Sequence, residues 1–110
     1  MSKNDIKQKI LEAVGQIPYG MVKSYGQVAV DAGLPGRARL VARVLAESDD
    51  ELLPWHRVLR SSGHIAFPYG SEMFVEQRNR LASEGVLLVA GKVKMIKKVL
   101  DLDALFWAPK

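Results

Sequence analysis

Residues 54–57 read Pro-Trp-His-Arg, set between the short apolar runs "LL" and "VL". An imidazole in this setting could act as a general base or a nucleophile. The adjoining indole offers a π face and one N–H donor but no usable lone pair. The pair therefore reads either as core packing or as the wall of a binding pocket. No sulfur can join them, because the chain contains no cysteine. That excludes thiolate catalysis, disulfides and zinc–thiolate sites together. With two histidines and no clustered carboxylates, neither a metal nor a cofactor is expected.

The elements that must position these residues are legible in part. From Asp5, a candidate N-cap, Ile6, Ile10, Ala13, Val14 and Ile17 form one helical stripe that "PYG" at 18–20 ends. Ser24 with Gln27 has the form of a capping box, predicting a short helix from Tyr25 to about Ala32 that Gly33 stops. A third helix is predicted over about Pro35 to Ala46. Two helices joined by a tight glycine-containing turn have the shape of a helix-turn-helix.

On a wheel at about 100° per residue, Leu40, Val41, Val44 and Leu45 share one side of the third helix and should face the core. Arg39, Ala42, Arg43 and Ala46 collect opposite, with Ala38 at the margin. Small residues between arginines suit close approach to a nucleic-acid backbone, and they equally suit a solvated face. Beyond "SDDE", "HRVL" reads as β-like, "SSG" as a turn, and "HIAF" follows. Ser71 should cap a helix running to about Glu84, with Gly85 ending it. A hairpin is expected around Ala90-Gly91, with Lys92, Lys94, Lys97 and Lys98 on or beyond its second arm. Phe106 and Trp107 in the tail read as packing aromatics.

"IPYGMVKSYGQVA", "ARLVARVL" and "PWHRVLRSSG" together resemble, in order and spacing, the C-terminal DNA-binding domain of O6-alkylguanine-DNA alkyltransferases. The resemblance covers roughly residues 5–85, and the alkyltransferases' separate N-terminal domain has no counterpart in it. In that family the last motif is Pro-Cys-His-Arg, and the cysteine takes the alkyl group from guanine. Trp55 occupies that position here, which marks the alkyltransferase-like proteins that bind alkylated DNA without repairing it. The implied fold is mainly α with small β elements, a winged helix-turn-helix-like domain of the alkyltransferase C-terminal type. One domain over 1–110 is expected, with 86–110 as a basic C-terminal arm outside the resemblance.

The resemblance also implies roles. Tyr25 would rotate the 3′ phosphate and meet the flipped base, and Arg39 would enter the stack in the nucleotide's place. Ala38 and Ala42 would let the helix sit in the minor groove, and Arg43 could add a phosphate contact. Trp55 would line the lesion pocket, with the Trp55 and Val58 carbonyls accepting from the guanine amino group. Phe67, Pro68 and Tyr69 are pocket candidates in "AFPYGSE", which replaces the family's glycine-rich loop. His56 and Glu84 would be the remnant of the relay that activates the cysteine, and Ser48 stands at the asparagine hinge. Arg57 and Arg60 read as phosphate contacts or surface charges.

Composition is compatible. A chain of 110 residues, 48% hydrophobic and 25% charged, is globular in make-up. Sixteen basic against twelve acidic residues give +4, a weak bias toward polyanions. The polar start "MSKNDIKQKI" lacks a signal peptide's apolar core, so a cytoplasmic protein, nucleoid-associated if bacterial, with no membrane partner is expected. The expected function is a non-enzymatic, monomeric sensor of O6-alkylguanine in double-stranded DNA, flagging lesions for nucleotide excision repair proteins and blocking alkyltransferases by competition. A small winged-helix transcription regulator is the alternative. It explains the helix-turn-helix but neither "PWHRV" nor the Tyr25–Arg39 spacing.

Overall fold

The computed structural model describes residues 3–96. Helix α1 spans Lys3–Gly15, so Asp5 lies in its first turn instead of capping it, where its carboxylate still complements the helix N-terminus. Ile10, Ala13, Val14 and Ile17 are buried along the expected stripe. Pro18 and Gly20, the latter at φ 80°, turn the chain into the short strand β1, Lys23–Ser24.

Helix α2, Tyr25–Asp31, starts where Ser24 Oγ accepts from the Gln27 N–H at 3.0 Å. Only half of the expected capping box forms, because the Gln27 side chain turns to Asp31 at 2.9 Å. Its C-terminus closes with two bonds, Gly33 N–H to Val30 O and Leu34 N–H to Ala29 O, with Gly33 at φ 79°. This is the Schellman arrangement, and a glycine supplies its left-handed residue without a Cβ penalty.

Helix α3 spans Ala38–Glu47, later than the predicted start at Pro35. Pro35 and Gly36 instead form a tight turn, with Gly36 at φ 81° and the Arg37 N–H bonded to Leu34 O. Proline followed by a glycine at positive φ favours a type II turn over a first helical turn. The wheel assignment holds: Val41 and Val44 are buried, Leu40 and Leu45 half-buried, and Arg39, Ala42, Arg43 and Ala46 exposed.

Of the expected β-like "HRVL", only Val58–Leu59 is a strand, β2, paired in parallel with β1 in the register Lys23 to Val58 and Ser24 to Leu59. Trp55–Arg57 form a 3-10 turn. "HIAF" contributes only a bridge between His64 and Lys92. Helix α4, Glu72–Ser83, is capped by Ser71 as expected, Oγ accepting from the Phe74 N–H. Strands β3, Val86–Val89, and β4, Lys92–Ile96, form the hairpin around Ala90-Gly91. Lys97, Lys98, Phe106 and Trp107 lie outside the described residues.

Two apolar clusters result. One packs α1, α2 and α3 with Leu53 and Val58. The other joins Leu59, Ile65, Phe74, Leu81 and Val86. Strand alternation explains the seam, since consecutive side chains of β2 face opposite ways. Val58 enters the helical cluster and Leu59 the α4–hairpin cluster, each side chain contributing on the order of 1.5–3 kcal/mol. "PWHR" is thereby held where the two clusters meet.

Candidate nucleic-acid interface and base pocket

A cavity of about 480 Å³ opens beside α3. Tyr25 at the start of α2 forms part of its wall, as do Ala42, Leu45 and Ala46 of α3 and Ser48, the C-cap residue. Trp55 faces them, and Ala66, Phe67 and Met73 complete the lining. The volume falls in the range of about 300–1,000 Å³ usual for small-molecule sites. The wall is mainly apolar, with hydroxyls only at Tyr25 and Ser48.

The indole is held on several sides. The Phe67 and His56 rings meet it edge-on, at 6.1 and 6.2 Å between centroids. The Arg80 guanidinium lies over the ring, 5.4 Å from its centroid. No cavity-lining residue carries a thiol, amine, carboxylate or imidazole. Burial raises the pKa of the Tyr25 phenol, outweighing the opposing charge of Arg60, so it stays protonated and presents an O–H donor. A flat, partly apolar ligand can be enclosed here, against a wall whose only sulfur is the Met73 thioether.

Behind the wall lies a buried polar knot. His56 Nε2 is 2.7 Å from Glu84 Oε2. Arg57 donates to both Glu84 oxygens, Nε to Oε1 and Nη2 to Oε2, each at 2.9 Å. The Gly20 N–H adds a bond to Oε1 at 3.0 Å, and Arg57 Nη1 donates to Ile17 O at 2.8 Å. Burial raises the Glu84 pKa, but the hydrogen bonds from Arg57, Gly20 and His56 outweigh it and bring the pKa down to about 2. Burial pushes His56 below its ordinary value despite its bond to Glu84. At neutral pH the imidazole is neutral, with Nε2–H donated to the carboxylate.

Arg57 therefore serves the interior, with three of its N–H groups bonded to Glu84 and Ile17. Its guanidinium also stacks on Tyr19, at 5.7 Å from the ring centroid, and the Tyr19 hydroxyl donates to Ser83 O. Arg60 is exposed. Gln77, 1% exposed, donates from Nε2 to the carbonyls of His56 and Val58 and fixes this segment against α4.

The structure brings Tyr25, Ala42, Ser48, Trp55 and Phe67 of the expected residues to one cavity. Three pocket candidates stand elsewhere. The Val58 side chain is in the core, because β2 turns it inward, and its carbonyl, the atom expected to meet guanine, accepts one bond from Gln77 and keeps a second lone pair. Pro68 is exposed, and Tyr69, 75% exposed, packs on Phe74 at 4.8 Å instead of facing Trp55. Arg39 and Arg43, with Arg37 and half-buried Ala38, line an open hollow of about 440 Å³ at the start of α3.

Gln77, Arg80, Arg37, Met73 and Ala66 escaped the sequence reading. Gln77 alone left a signal, a polar residue on the stripe Phe74, Gln77, Leu81 that faces the core. Among the described residues no helix is long and apolar enough to cross a membrane, and no cluster of three or more potential ligands could hold a metal ion.

Residues 5–86 match the family described as 6-O-methylguanine DNA methyltransferase, DNA binding domain. Alkyltransferase-like protein 1 of Schizosaccharomyces pombe is 34% identical over 110 residues, covering 99% of this chain and all of that protein. The DNA base-flipping protein of Escherichia coli K12 is 40% identical over 90 residues, 80% of this chain and 68% of that one. The structure of S. pombe Atl1 in complex with damaged DNA containing O6-carboxymethylguanine superposes with a TM-score of 0.76 at 35% identity, covering 86% of this chain and 92% of that one. The chain belongs to the family of the 6-O-methylguanine DNA methyltransferase DNA-binding domain, and within it to the alkyltransferase-like proteins.

Proposed function

We propose that the protein recognises O6-alkylguanine in duplex DNA by rotating the nucleotide into the Trp55 cavity, and that it does so without removing the alkyl group. One observation carries the reading: where relatives of the alkyltransferase type place a thiol, this cavity has an indole, and its wall holds no thiol and no imidazole, carboxylate or amine to activate the Tyr25 hydroxyl or the weakly nucleophilic Met73 thioether. Basic side chains first find the backbone through a salt-dependent attraction. Arg39, exposed on α3, fills the gap in the stack while Tyr25 guides the departing nucleotide. Extrusion costs a few kcal/mol and costs less where alkylation has already weakened the pair. Stacking and apolar contact around Trp55 return about 1–3 kcal/mol.

Because the lesion is left in place, the complex itself is the product. Its use is then to be read by others, with nucleotide excision repair proteins as recipients and with alkyltransferases excluded by occupancy of the same lesion. A monomer acting in the cytoplasm fits this use, since one lesion presents one site. Anisotropy titrations with two duplexes, one carrying O6-methylguanine and one guanine, test the reading. The wild type should prefer the lesion, and Arg39→Ala should lose most of that preference. Undiminished lesion binding by Arg39→Ala would defeat the flipping mechanism.

A further inference from the structure

Trp55 lines the cavity, yet the group lying over its ring, Arg80, is not part of that lining. Arg80 stands 5.4 Å from the ring centroid and is itself held, its Nε donating to Glu76 Oε2 at 2.6 Å one turn earlier on α4. A guanidinium over an indole face is attracted by the ring quadrupole, and an i,i+4 carboxylate fixes where that cation sits. The Phe67 and His56 rings meet the same indole edge-on. Two rings set at 87° to it and a guanidinium over its face therefore constrain its tilt, and Arg80 is the one cation among these three neighbours.

We infer that Arg80, anchored by Glu76, is a positioning residue that backs the Trp55 indole, fixes the depth of the cavity and so determines which O6 substituents are accepted. This inference rests on the proposed function. An indole free to swing would give a cavity of variable size that accepts guanine and alkylguanine with less distinction. Arg80 is 42% exposed at its side chain, so a contact to DNA phosphate is the competing role, and the two roles differ in what they predict. A phosphate ligand lost by mutation weakens binding to all duplexes alike and lowers the salt slope by about one. A positioning residue changes the ratio between duplexes and the environment of the indole.

The test uses the full chain with Trp107→Phe, so that Trp55 is the sole tryptophan, and compares Arg80→Met, Arg80→Lys and Glu76→Gln. Acrylamide quenching of Trp55 in the free protein is read beside binding to duplexes carrying guanine, O6-methylguanine or O6-benzylguanine. Arg80→Met should raise quenching about twofold and cut the methylguanine-to-guanine preference at least fivefold, with an unchanged salt slope. Arg80→Lys should restore most of both, and Glu76→Gln should fall between. Unchanged quenching in Arg80→Met would overturn the positioning role whatever the DNA results. A uniform loss of binding with a lowered salt slope would assign Arg80 to phosphate instead. A parent protein with no lesion preference would overturn the proposed function and the specificity role with it, while the quenching comparison would still decide whether Arg80 holds the indole.

Discussion

Glu84 ties three distant segments together: the Gly20 turn, the His56-Arg57 pair and the end of α4. Removing one partner of a buried ion pair leaves the others uncompensated, so Glu84→Ala should cost about 3 kcal/mol in urea unfolding. The same knot sets the acid limb of stability. Glu84 has a folded pKa of about 2 against an ordinary 4.5, so its contribution is complete above about pH 4.5 and is lost as pH falls toward 2. His56 resists protonation when folded, so the unfolded chain gains a proton first as pH drops below about 6.5, and stability declines from there. Unfolding midpoints measured from pH 7 to 3 should show both limbs, and Glu84→Gln should lack the lower one. At Trp55, replacement by alanine should reduce lesion preference by about 1–3 kcal/mol in duplex titrations. Trp55 and Tyr25 could be picked out from their place in short motifs. The duties of Arg57, Gln77 and Arg80 could not, because each depends on a partner 19 to 40 residues away or on a ring that only folding brings within reach.

Helices announced themselves where side-chain chemistry marks an end. Ser24, Ser71, Gly33 and Gly85 all stand at the expected boundaries. The start of α3 lies later than its pattern suggests: the proline of "LPG" is acceptable in a first helical turn, but Gly36 at positive φ makes the segment a turn. Parallel pairing of β1 with β2 was invisible, since two-residue strands carry no periodicity. The hairpin was legible from Ala90-Gly91, and it carries a further consequence. Ala90 has φ 52° and Gly91 φ 81°, the paired positive values of a type I′ turn. Asparagine tolerates the first position better than alanine, so Ala90→Asn should raise stability by about 0.5–1 kcal/mol. Gly91→Ala should lower it by more than about 1 kcal/mol, because a Cβ there would come within 2.9 Å of the Phe74 ring and φ would be strained. Chemical denaturation of the two variants checks both signs.

Across the molecule, α3 gives Ala42, Leu45 and Ala46 to a cavity whose other side belongs to Trp55 and α4, while its arginines line the hollow at its start. The formal charge of +4 is modest, so backbone attraction should come from a local arginine group more than from the net field. Arg43→Ala should weaken binding to damaged and undamaged duplexes alike and lower the salt slope by about one, as measured by titration across salt concentrations. Sequence motifs single out Tyr25, Ala42 and Trp55, which the structure brings to one cavity, but the rest of its walls had to be seen. Ala46, Ala66 and Met73 are commonplace residues, and only packing makes them a boundary.

Recognition without transfer leaves both protein and DNA chemically unchanged. Native mass spectrometry of the protein with equal amounts of an O6-methylguanine duplex and its guanine counterpart tests it in one spectrum. The complex with the lesion duplex should predominate, with protein and DNA both at their original masses. Equal occupancy of the two duplexes, or a methyl group gained by the protein and lost from the DNA, would contradict it.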